Sequence, residues 1–110
     1  MNRWGIPEWL ELEVIARDRH CIYCRVEFAS QSRSRSCKPS WEHIVNDASI
    51  ITRENIAICC VSCNSSKGTK NLSNWLTSKY CETNGITRES IASVARAALE
   101  SHSSSSHAGA

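Results

Sequence analysis

The stretch Asn55-Ile56-Ala57-Ile58-Cys59-Cys60-Val61-Ser62-Cys63-Asn64-Ser65-Ser66-Lys67-Gly68 decides the fold. Its opening residues are apolar and partly β-branched, which predicts a strand over 55–59. From Cys60 the pattern turns helical and stops near Lys67, where Gly68 is well placed as a C-terminal cap. A strand, a Cys-x-x-Cys pair and a helix therefore follow one another without a linker.

Upstream, Cys21 and Cys24 form a second Cys-x-x-Cys pair. Four thiolates from two such knuckles suit a tetrahedral zinc ion, and an all-thiolate closed set reads as structural rather than catalytic. A thioredoxin-like role for either pair lacks the surrounding βαβ pattern. Cys37, Cys59 and Cys81 fall outside the pairs and read as small apolar or surface residues, although Cys59 beside Cys60 complicates the ligand assignment.

The bounds agree with a metal-stapled domain. At 110 residues with seven cysteines, the chain fits one domain with a modest core that a metal or disulfides would reinforce. The odd cysteine count, the paired spacing and the lack of an apolar leader predict reduced thiols on zinc and a soluble, cytoplasmic protein. No apolar run approaches the roughly 18 residues of a membrane span. The net charge is only +2. Between Arg25 and Lys70, however, seven basic residues face four acidic ones, so positive charge concentrates around the knuckles, a weak pointer to nucleic acid.

Pro7 and the apolar residues after it predict a helix over 7–18. Residues 30–36 read as a polar loop, 40–44 as a short strand, and Asn46-Asp47 as a turn, giving a long-looped hairpin over 40–59. Leu72, Trp75, Leu76 and Tyr80 lie on one stripe of a helix over 71–81. Thr87 is placed to cap a last helix over 87–100, carrying Ile91, Val94, Ala95, Ala98 and Leu99. Both stripes read as internal packing. The whole is an α+β chain: a single domain over 1–100 with its motif core at 20–70, then a disordered tail over 101–110 whose His102 and His107 are solvated.

Between the knuckles stands Glu42-His43. A neutral imidazole can take a proton from water, and an adjacent carboxylate can hold a hard cation. Neighbours on a strand face opposite sides, so both reach one site only where the strand ends or bulges. Alone, the dipeptide reads as surface decoration; its place between the knuckles, near Asn55 and Asn64-x-x-Lys67, lifts it above that. Asn64 and Lys67 share a helix face, offering an amide oxygen to a metal and an ammonium to a phosphate. Asn55 reads equally as a turn residue or as a brace for the imidazole ring or the hairpin backbone.

Cys-Ile-Tyr-Cys (21–24), Trp-Glu-His-Ile-Val (41–45) and the quoted stretch (55–68), in that order, resemble the HNH endonucleases of the ββα-metal class. The resemblance covers about residues 6–70. It implies a hairpin and helix clasping one catalytic divalent ion, Mg2+ or Mn2+, beside a structural Zn2+ on Cys21, Cys24, Cys60 and Cys63. It makes His43 the general base, Asn55 the middle residue of the name, and Glu42 and Asn64 the ligands of the catalytic ion. Glu42 replaces the family's usual Asp, and Val45 its usual proline. The implied reaction is hydrolysis of DNA phosphodiesters, nicking or cutting both strands, with activity falling as His43 protonates. The expected partner is double-stranded DNA, held with weak sequence preference through Arg33, Arg35, Lys38, Arg53, Lys67 and Lys70 by a monomer or homodimer, with no membrane. The rival readings are a non-catalytic zinc-stabilised nucleic-acid-binding module and a structural adaptor docking through its C-terminal helix.

Overall fold

The computed structural model describes residues 2–28 and 35–108, with side chains as far as Ser101 apart from that of Arg35. Two strands, β1 (Pro39–His43) and β2 (Ile56–Cys60), pair antiparallel, with Trp41 opposite Ile58 and His43 opposite Ile56. The helix α1 (Glu8–Arg17) precedes them and α2 (Val61–Lys67) follows directly. Then come α3 (Leu72–Trp75), α4 (Lys79–Thr83) and α5 (Ser93–Ala108), with a turn of 3-10 helix at Arg35–Cys37. The expected hairpin is thus present in a small α+β chain, each strand sitting within one residue of its predicted start.

The hairpin divides the interior. On one side Ile56, Ile58 and Trp41 pack with Ile6, Leu10 and Val14 from the N-terminal segment and α1. On the other, Ala57, Cys59, Cys60 and Ile44 join Tyr23, Leu72, Trp75, Ile91 and Ala95. Every residue of β2 is buried because both of its faces are covered. The outer edge of β2 is closed by α1 and the first knuckle. Asp18 accepts the Ile58 N–H at 3.1 Å, Arg17 donates to the Ile56 carbonyl at 2.9 Å, and the Ile22 N–H donates to the Ile58 carbonyl at 3.2 Å. A two-stranded sheet is marginal on its own, and these bonds make up for the missing neighbours.

The C-terminal third departs from expectation. The helix predicted over 71–81 is two short helices, because two side-chain caps each start one. Asn71 accepts from the Asn74 N–H at 2.8 Å, and Ser78 accepts from the Cys81 N–H at 3.3 Å. Thr87 does cap a turn, exchanging bonds with Ser90, but that turn stops at Ile91. The Ala92 N–H donates to the Ile22 carbonyl at 2.8 Å, and this tertiary bond delays α5 to Ser93. The backbone of α5 then continues to Ala108, through residues expected to be disordered, since extending a formed helix is far easier than nucleating one.

Candidate functional site

Cys60 ends β2 and is also the N-cap of α2, its sulfur accepting the Cys63 N–H at 3.4 Å. The first knuckle repeats the device, Cys21 Sγ accepting the Tyr23 and Cys24 N–H groups, both at 3.4 Å. All four sulfurs lie within 4.8 Å of one another, and Cys24 and Cys60 stand 3.7 Å apart. A zinc–sulfur bond of about 2.3 Å places sulfurs about 3.8 Å apart at the corners of a tetrahedron. The donor set and spacing therefore fit zinc, and all seven cysteines are free thiols.

The thiol electrostatics point the same way. Hydrogen bonds from Cys24, Cys60 and Cys63 hold the Cys21 thiol far below its ordinary range. Hydrogen bonding to Cys21 and Cys24, and for Cys63 to Cys60 as well, pushes the Cys60 and Cys63 thiols up. Four adjacent sulfurs resist simultaneous ionisation until a cation shares their charge. Among the described residues no other group of three or more His, Cys, Asp and Glu side chains clusters as potential ligands.

Glu42 and His43 take opposite faces. The strand stays paired through His43, so the alternation of β structure is unbroken. Glu42 turns into the larger core, where its Oε2 accepts the Tyr23 hydroxyl at 2.6 Å and pairs with the Lys67 ammonium at 3.1 Å. Lys67 is 1% exposed and also donates to the Ile44 carbonyl at 3.1 Å. Two sequence expectations change accordingly. Lys67 does not lie on the surface for a phosphate, and Glu42, as arranged, is a partner of a buried lysine rather than a free ligand. The physical reason is neutralisation: a carboxylate this deep needs a countercharge, and the lysine one helical turn past Asn64 supplies it.

Asn64 lies against β1, its Nδ2 donating to Ser40 Oγ at 3.0 Å and to the Trp41 carbonyl at 3.1 Å. Ser40, Glu42 and the Asn64–Lys67 face of α2 are therefore together. A magnesium or manganese ion held there through Glu42 Oε2 would compete with Lys67 for the carboxylate. Of the two bracing roles the sequence offers Asn55, its bonds are those of a brace for the backbone. It accepts the Val45 N–H at 2.7 Å and donates to the carbonyls of Val45, at 3.2 Å, and Ile50, at 3.1 Å, fixing the turn that follows His43.

His43 faces the α1 side. Its ring meets Trp4 edge-on at 5.9 Å, and its Nε2 is buried without a hydrogen-bond partner. A buried ring nitrogen with nothing to bond is costly, and such an atom is normally met by water, ligand or substrate.

The remaining expected DNA contacts divide. Lys38 and Lys70 are exposed, Lys70 donating to the Ser66 carbonyl at 3.2 Å. Arg53 is tied to Glu13 through two nitrogens. Arg33 lies outside the described residues, as does the Arg35 side chain. Sequence reasoning overlooked Tyr23, which lies between the first two cysteines; its place inside a zinc knuckle is the signal that it would be carried into the core beside the hairpin. The chain matches no protein-family model, no curated protein and no solved structure.

Proposed function

We propose that this chain is a zinc-stapled ββα endonuclease that hydrolyses DNA phosphodiesters with His43 as general base. The observation that carries the reading is the combination of His43 at the end of β1, with an unpartnered buried nitrogen, and Asn55 locking the turn behind it. A base must be held in one orientation, and a hairpin whose β2–α2 junction is stapled to the first knuckle by four thiolates supplies that rigidity. In this reading Asn55 is a positioning residue, and His43 accepts the proton of the attacking water. Lys38 and Lys70 supply exposed positive charge for the strand. A divalent ion, Mg2+ or Mn2+, would supply Lewis-acid stabilisation of the phosphate, with Glu42 and Asn64 as its ligands once Lys67 gives up the carboxylate.

One observation favours a second reading, a zinc-stabilised nucleic-acid-binding module that does not cut. Glu42 Oε2 is already held by Tyr23 and Lys67, so a catalytic ion would compete with both for that oxygen. Supercoiled plasmid separates the two. The endonuclease nicks it with Mg2+ or Mn2+, stops with a chelator, and loses nicking but not DNA binding in His43→Ala. Binding without nicking by the unaltered protein, or nicking that survives His43→Ala, removes the endonuclease reading.

A further inference from the structure

Away from the hairpin, the end of α1 and the first zinc knuckle face the start of α5 across a small polar cavity of about 150 Å3. Five charged or titratable side chains wall it: Arg17, Asp18, Arg19, His20 and Arg25. Arg17 is already balanced by Asp18, with contacts of 2.7 and 2.9 Å, and the Asp18 carboxylate also takes the Ile58 N–H. Arg19, His20 and Arg25 are not balanced; among the described residues none of their side chains has an ion pair or hydrogen bond. Arg25 reaches the cavity because the knuckle turns it through a left-handed backbone, φ 70°.

The opposite wall adds donors. Residues 92–94 line the cavity, and Ser93 and Val94 open the 16-residue helix α5. Their N–H groups find no acceptor among the described residues, as expected of a helix's first turn. Two guanidiniums without a partner, the His20 ring and two free amides thus converge, beside the Asp18 carboxylate that Arg17 already pairs, on a space with room for one small anion. Guanidinium forks and helix-start amides both match the tetrahedral oxygens of a phosphate.

We propose that this cavity is a phosphate-binding pocket that takes a nucleic-acid phosphate, either a backbone phosphodiester or a terminal phosphomonoester. It rests on the nucleic-acid side of the function proposed above and adds a contact region on the far side of the first knuckle, outside the exposed lysines of the hairpin and α2. Neither guanidinium has a structural partner, so Arg19→Gln with Arg25→Gln removes charge and leaves the fold and the zinc ligands alone.

The test uses the full zinc-loaded chain and amide NMR. Inorganic phosphate is expected to shift the Ser93 and Val94 resonances, and the double variant to abolish those shifts. A short duplex should bind the double variant about tenfold more weakly, with the slope of log affinity against log salt reduced by about one. Duplexes with and without a 5′ phosphate distinguish the sources: equal shifts indicate the backbone, and shifts with the phosphorylated duplex alone indicate the terminus. No shift at Ser93 and Val94 with any probe, or unchanged affinity and slope in the double variant, overturns the pocket. Plasmid nicking is scored separately. Binding without nicking ends the endonuclease reading and leaves the pocket standing, whereas a double variant that nicks and binds as the parent does ends the pocket alone.

Discussion

Glu42, Tyr23 and Lys67 form the most consequential set of side chains in the molecule, because each depends on the others. Lys67→Met strands a buried carboxylate and is expected to lower unfolding free energy by about 3–5 kcal/mol, while adding Glu42→Gln restores much of the loss. Chemical denaturation of the two single variants and the double variant checks this; additive losses would show that the pair is not coupled. Burial, then the Glu42 charge, pushes the Tyr23 hydroxyl well above its ordinary value of about 10. Tyr23 therefore remains protonated in the folded chain at a pH where the unfolded chain loses that proton. Its contribution is complete below about pH 10 and is lost as pH rises through the higher folded value. The buried Cys59 and Cys81 thiols, also raised by burial, add to the alkaline loss. Tyr23→Phe should start about 1.5–3 kcal/mol less stable, since it deletes a bond to a charged acceptor, yet fall less steeply between about pH 9 and pH 11.

At the scale of elements, the junction of β2 and α2 carries the argument. Cys60 is strand end, helix cap and one of the four sulfurs placed to hold a metal, so removing a bound metal should loosen the strand, helix and knuckle together. One zinc per chain is expected by elemental analysis. Chelation, or Cys63→Ser, should release it with a loss of β2–α2 amide protection in hydrogen exchange. An unchanged exchange pattern after chelation would make the sulfurs mere neighbours. This junction was legible from the chain because strand, knuckle and helix signals are local and abut. Lys67 was legible as a basic residue on the Asn64 face, but its pairing with Glu42 depends on α2 folding back along β1, which no local pattern reports. The broken helix over 71–81 was missed for another reason. Its apolar stripe is genuine, with Leu72 and Trp75 buried and Leu76 and Tyr80 partly buried against the core, yet the capping bonds of Asn71 and Ser78 outweigh continuity.

For the molecule as a whole, the hairpin separates two bodies of packing that respond to different changes. Leu10 is fully buried on the inner face of α1, and Leu10→Ala should cost about 2–5 kcal/mol. Because Leu10 packs against Ile56 and Ile58 rather than against the thiolates, zinc content should stay at one per chain in that variant. Metal loss on this substitution would mean that the two bodies fold as a single cooperative unit.

The alternation of β1 has a last implication. Two residues adjacent in sequence report to different halves of the protein: Glu42 answers to the thiolate-rich half, and His43 to the half built on α1 and the N-terminal segment. A five-residue ribbon thus acts as a bulkhead, and the imidazole could be re-tuned by altering Trp4 without disturbing the stapled compartment behind it.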